Sequence, residues 1–235
     1  MINIKKEIPL KTIIFSLFIS FMIVLLLSII LNTSHTSNSL GIELLKINET
    51  QTQSANAVTS VVTYFRGLDT LGEVTILFLA VFGIGFGLDK NKERLNIFSY
   101  RNTLLQTGVK VLFPLIILFG IYIIIHGHIS PGGGFQGGVI IASAFLLKFL
   151  AYGDKFSLNH NIITIFESLS GFSFILVGIL GVITLDMFFA NFLPLGEMGD
   201  LFSSGIIPLI YIFVGLKVAA EITVLVEYIL KVKDA

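Results

Sequence analysis

The chain has 235 residues, 54% hydrophobic and 13% charged, with a mean hydropathy of +0.93 and a formal net charge of zero. These values exclude a soluble domain, and the charge balance offers nucleic acid no electrostatic footing. With no cysteine in the chain, disulfides and thiolate-held iron–sulfur clusters are excluded too.

A helix crossing the hydrocarbon core needs roughly 20 apolar residues. Six stretches meet or approach that length: about 8–31, 70–88, 104–126, 137–152, 163–187 and 206–230. The expected fold is therefore all-α, a polytopic membrane protein of about six transmembrane helices. The first stretch follows Lys5 and Lys6 as a signal peptide would. Its apolar run exceeds the ~7–15 residues of a signal core and no A-x-A site follows, so a retained anchor is expected.

Basic residues set the orientation. Lys5, Lys6 and Lys11 lie at the first stretch, Lys90, Lys92, Arg94, Arg101 and Lys110 between the second and third, Lys148 and Lys155 after the fourth, and Lys231 and Lys233 after the sixth. The other side holds Lys46 and Arg66. By the positive-inside rule both termini are expected in the cytoplasm.

Residues 32–55, rich in Asn, Ser and Thr, are expected to form a polar outer loop. After it, Val58, Val61, Val62 and Phe65 recur at helical spacing, with Thr59, Ser60, Thr63 and Arg66 opposite. This amphipathic pattern suits a helix lying on the membrane surface, apolar face down. The charged segment 89–102 reads as a junction between modules 1–95 and 96–235. Glu73-Val74-Thr75-Ile76-Leu77 faintly echoes Glu221-Ile222-Thr223-Val224-Leu225, too weakly to establish a repeat.

Between the third and fourth stretches lies Gly127-His128-Ile129-Ser130-Pro131-Gly132-Gly133-Gly134-Phe135-Gln136-Gly137-Gly138. Glycine and proline cannot sustain a helix here, so the chain must turn in an elbow. Its polar backbone groups must be satisfied by protein or water rather than lipid. Gly132, Gly134 and Gly137 formally match G-x-G-x-x-G, but a membrane helix precedes them where the dinucleotide fingerprint requires a strand.

Lys217 carries the sharpest chemical signal. It falls near the middle of the last apolar stretch, where a lysine costs roughly 2.5–3.5 kcal/mol unless it faces protein or water. Glu221 stands one turn on, at i+4, where the two can pair. Such a pair can relay protons or cations, or can lock helix packing as a static ion pair. Asp69 and Glu73 repeat the i, i+4 spacing near the outer end of the second stretch. They can form an ion port, or cap a helix N-terminus. His126 and His128 flank Gly127 and can pass protons at neutral pH or simply sit at the interface. No third ligand makes them a metal site. Glu167, Asp186, Lys110 and Lys148 lie near helix ends, where Glu167 is a candidate inner carboxylate. Gly171, Gly178 and Gly181 are expected to admit neighbouring helices. No Ser-His-Asp or Cys-His nucleophile set appears, so no catalytic residue is assigned.

Gly127-His128-x-x-Pro131-Gly132-Gly133-Gly134-Phe135-x-Gly137-Gly138 resembles the signature of the MnhB/MrpB family, a small membrane component of Mrp-type multisubunit Na+/H+ antiporters. Ile129 and Ser130 replace the usual asparagine and alanine. Leu201-Phe202-Ser203-Ser204-Gly205-Ile206-Ile207 and Val214-Gly215-Leu216-Lys217-Val218-Ala219-Ala220 also resemble that family and its counterparts in membrane-bound hydrogenases. Val58 through Glu73 is similar to the C-terminal extension of the large MnhA/MrpA component, an MbhE-like piece in the hydrogenases. The chain thus resembles a fusion of two neighbouring subunits, a departure from the commonest antiporter layout.

That resemblance implies a non-catalytic membrane subunit without its own cofactor, in a complex that exchanges Na+ for H+. Its partners are other antiporter subunits, with redox or hydrogenase-like subunits in respiratory members. An ion path through charged membrane residues places Asp69, Glu73 and Lys217 in it. Glu221 joins by spacing alone and His128 by its titration range. Pro131, Gly132, Gly133, Gly134 and Gly137 form the elbow. A purely structural, sealing subunit is the alternative reading.

Overall fold

The computed structural model describes residues 39–87 and 103–231, together with helical positions scattered between 16 and 31. The chain divides into two compact units, residues 1–43 and 44–235. Most of the first apolar stretch and the whole junction 89–102 fall outside the described residues. Among those described, every regular element is helical.

The elements are α1 (Ser39–Gln51), α2 (Ala57–Ser60, continuing as a π-turn over Val61–Phe65), α3 (Gly67–Gly87), α4 (Thr103–Ile125), α5 (Gly134–Tyr152), α6 (His160–Leu185) and α7 (Ile207–Lys231). The five from α3 to α7 are long and apolar enough to cross a membrane. They coincide with the last five expected stretches to within a few residues. Three of them begin three residues early, and α5 thereby starts at Gly134 inside the elbow rather than at 137.

Helix α7 is central, with α3, α4, α5 and α6 all packing on it. In its membrane window 44% of residues are buried, against 17% for α3 and α4. Its Ile210, Val214 and Val218 join Val74 of α3 and Phe174 and Val177 of α6 in the main core cluster. Small residues let the helices close. A Cβ at Gly134 would come 2.8 Å from the Tyr211 carbonyl oxygen, and one at Gly138 would come 2.8 Å from that of Gly215. Only a bare backbone fits α5 so close to α7. The outward faces of α3, α4 and α6 remain apolar and exposed, as lipid or neighbouring subunits require.

Three expectations need correction. Residues 39–51, expected as loop, form helix α1, because Leu40, Leu44, Leu45 and Ile47 are helix formers and Leu44, Ile47 and Asn48 share its more buried side. The segment after Asn56 is helical as expected, but its faces are reversed. Thr59, Ser60 and Thr63 are buried and Val58 is 71% exposed. Gly178 and Gly181, expected to admit a neighbouring helix, instead admit the returning segment 187–190: Gly178 the ring of Phe188, Gly181 the backbone of Met187–Ala190.

Candidate functional site

The elbow explains the reversal of α2. Residues 127–132 lie outside any helix, so their carbonyls need donors from elsewhere. The segment before α2 supplies them. Asn56 Nδ2 donates to the Gly127 carbonyl at 2.9 Å and to that of Ser130 at 3.1 Å, and Ser54 Oγ donates to that of His128 at 2.9 Å. Asn56 N–H also donates to the His128 carbonyl, at 3.0 Å. Thr59 Oγ1 donates to Gly127 O at 2.7 Å and receives the Tyr211 hydroxyl at 2.9 Å. Thr59 is thus buried because it satisfies the elbow, while Ser60 and Thr63 beside it donate back to the Ala57 and Thr59 carbonyls of their own helix.

The return segment closes the same end of the bundle. Asn191 Oδ1 accepts from Ile206 N–H at 2.8 Å, and Gly205 lies so close to it, at φ +59°, that no side chain fits. His128 is fully buried between these pieces, its Nε2 3.3 Å from the Asp200 carbonyl. Its Nδ1 has no hydrogen-bond partner among the described residues. Burial holds its pKa below the ordinary 6.5, partly offset by the Asp200 carbonyl and reinforced by His126. His126 itself stacks on Tyr122, centroids 4.1 Å apart, at the rim.

The charged site lies deeper. Lys217 is ten residues into α7, about 15 Å from its start. Its Nζ is 2.7 Å from Glu221 Oε1 on the same helix and 3.9 Å from Glu167 Oε1 on α6. The Phe78 ring of α3 covers the ammonium, centroid 5.0 Å away, and Gly171 of α6 leaves room for its methylenes. The Glu221 side chain is fully buried, and among the described residues no donor except Lys217 reaches it. So the expected Lys217–Glu221 pair forms, and Glu167 joins it from another helix.

The other candidates stand apart. Asp69 pairs with Arg66 at the exposed start of α3, with both side chains at least half exposed. Glu73 lies on an exposed face of α3, about 9 Å beyond Gly67. It shares neither the environment nor the partners of Glu221, despite the echo in sequence. Pro131, Gly132 and Gly133 form the turn, while Gly134 and Gly137 begin α5 against α7 and α4.

Sequence reasoning passed over one pair. Glu227 is buried near the far end of α7, and its Oε2 is 3.5 Å from His160 Nε2 at the start of α6. Its signal was present, since Glu227 follows the buried Glu221 on a helix apolar nearly all round. Among the described residues no group of three or more His, Cys, Asp or Glu could hold a metal ion.

Residues 104–224 match a family model described as a domain related to the MnhB subunit of Na+/H+ antiporters. The chain is 34% identical over 194 residues to an uncharacterized protein of Methanocaldococcus jannaschii, covering 72% of this chain and 74% of that one. A 54-residue stretch is 44% identical to a protein named as antiporter subunit mnhB2 in Staphylococcus saprophyticus, covering 23% of this chain and 38% of that protein. Among solved structures, a chain of the membrane-bound sulfane sulfur reductase, an archaeal respiratory membrane complex, is 36% identical with a TM-score of 0.75. The match covers 96% of this chain and 100% of that chain. A chain of the Mrp complex from Dietzia sp. DQ12-45-1b shares the fold, at 20% identity and TM-score 0.68, over 94% of this chain and 26% of that one.

Proposed function

Starting from the fact that the chain belongs to the family of domains related to the MnhB subunit of Na+/H+ antiporters, we propose that it contributes an ion path to a multisubunit antiporter module. The transported ions are a monovalent cation, Na+, and H+. The observation that carries this reading is the Glu167–Lys217–Glu221 cluster, held by two helices near mid-membrane. Two carboxylates face one ammonium, so with all three ionised the cluster is net negative. A net negative, water-poor site favours taking up a proton or small cation.

Glu73 fits the same reading from outside the chain's own core. A carboxylate on the exposed face of a membrane helix is costly in lipid, so it faces a neighbouring subunit. Large membrane complexes contain the structural neighbours, which supplies such subunits. Residues 1–95 and 96–235 are read as two modules, and the family match at 104–224 lies within the second. Lys110, Lys148 and Lys155 at one end of α4 and α5 mark the cytoplasmic side. The subunit carries ions without a catalytic centre of its own.

A second reading draws on the short Lys217–Glu221 contact: a sealing subunit of a respiratory complex, in which the pair only fixes α7. The test is sodium-driven proton movement in proteoliposomes of the whole complex carrying Glu221→Gln, with subunit content checked by gel. An assembled complex that no longer exchanges supports the ion path. An assembled complex exchanging normally supports the sealing role.

A further inference from the structure

Helices α5 and α6 each pack along α7 and are joined at the basic end of the bundle by residues 153–159. Between them α7 presents Ala219 and Ala220, too small to fill the space. The result is a groove of about 370 Å³, floored by these alanines and walled by Phe145 of α5 and Ile162 and Phe166 of α6. Its wall is apolar apart from a few polar groups near the 153–159 connection, and Lys148 lies at its edge.

Lys148 sits four residues before the end of α5. Its ammonium lies 4.0 Å from the centroid of the Phe113 ring and 5.1 Å from that of Phe156. Among the described residues no carboxylate pairs with it. Two aromatic faces hold a cation at the membrane boundary, its charge uncompensated by any carboxylate among the described residues. A cation above an apolar slot is complementary to one kind of molecule, an amphiphile with an anionic head and a hydrocarbon tail.

We infer that this groove binds an anionic phospholipid, its phosphate on Lys148 and one acyl chain running along Ala219 and Ala220. The volume suits a small ligand, within the ~300–1,000 Å³ of typical sites. From Asn159 to Phe166 the groove runs about 10 Å along α6. Basic pockets between membrane helices are recognised lipid-headgroup sites. The groove's lining includes neither Glu167, Lys217 nor Glu221, and the site stands whether or not that cluster conducts ions.

The test uses the intact complex in nanodiscs of phosphatidylcholine containing a little phosphatidylglycerol with a photoactivatable diazirine in its acyl chain. Labelled peptides are then mapped. The expected labels fall on 156–166 and 216–223 and are displaced by unlabelled phosphatidylglycerol but not by phosphatidylcholine. Lys148→Gln should weaken this labelling about fivefold. Ala220→Phe should remove it with Lys148 still in place. Equal labelling by a phosphatidylcholine probe, labels spread over the outer faces of α3 and α4, or a neighbouring protein segment cross-linked in the groove would each overturn the assignment.

Discussion

The Lys217 ammonium lies 2.7 Å from the Glu221 carboxylate, one turn along the most buried helix of the bundle. The Glu221 side chain has no exposure at all, so removing Lys217 strands it, whereas removing Glu221 leaves Lys217 with Glu167 at 3.9 Å. Lys217→Ala should destabilise the protein by about 3–5 kcal/mol, and Glu221→Ala by less. The joint replacement Lys217→Met with Glu221→Leu should be near neutral, because it removes both charges and keeps the volume. Thermal unfolding of the detergent-purified complex, followed by fluorescence-detected size exclusion, checks this.

Glu167 is the better single probe of transport. It lies 3.9 Å from Lys217 and its side chain is 23% exposed, so its loss strands no charge. Glu167→Gln should assemble normally and slow sodium-dependent proton exchange about tenfold, the equivalent of ~1.4 kcal/mol in the barrier. Exchange rates in everted vesicles, normalised to assembled complex, measure it.

At the elbow, Thr59 joins two parts of the chain through one hydroxyl, donating to Gly127 O and accepting from Tyr211. Thr59→Val strands the buried Tyr211 hydroxyl and takes one of two donors from Gly127 O, and should cost about 1–3 kcal/mol, whereas Tyr211→Phe should cost only about 1 kcal/mol. Gly134→Ala should cost about 1–3 kcal/mol by forcing α5 away from α7. Of the three variants, Tyr211→Phe should lower the melting temperature least.

His128 makes the elbow sensitive to acid. Burial depresses its pKa in the folded chain. Below the unfolded value of about 6.5 the unfolded chain takes up a proton that the folded chain refuses, so stability falls with pH. Its contribution is complete above that value and is lost as pH falls toward the depressed folded one. Hydrogen exchange of residues 127–133 should accelerate as pH is lowered through this window, after correction for intrinsic rates, and His128→Gln should flatten the dependence.

How much of this was legible depends on the range of each interaction. The membrane helices and the Lys217–Glu221 pair could be read directly, because both rest on spacing within one helix. Glu167 could be named a candidate, but not joined to Lys217, since that contact crosses from α6 to α7. Residues 39–51 were misread because their Asn and Thr residues outweighed the leucines that build α1. Val58 and Thr59 were placed on the wrong sides because amphipathicity says which residues share a face, not what the face meets. Here Thr59 met an elbow whose carbonyls lack helical donors, and that demand could have been anticipated from the glycines themselves. Glu227 and His160 went unread because each looks like an ordinary helix-end residue until the two ends are brought together.

The proposed ion path stands or falls on whether the charged cluster carries ions rather than merely fixing α7. The deciding measurement is sodium-dependent proton exchange by the intact complex carrying both Lys217→Met and Glu221→Leu, in proteoliposomes with subunit stoichiometry verified. An ion path through the cluster predicts a fully assembled complex with no exchange above the empty-liposome rate. A fully assembled complex exchanging at the unmodified rate would contradict it.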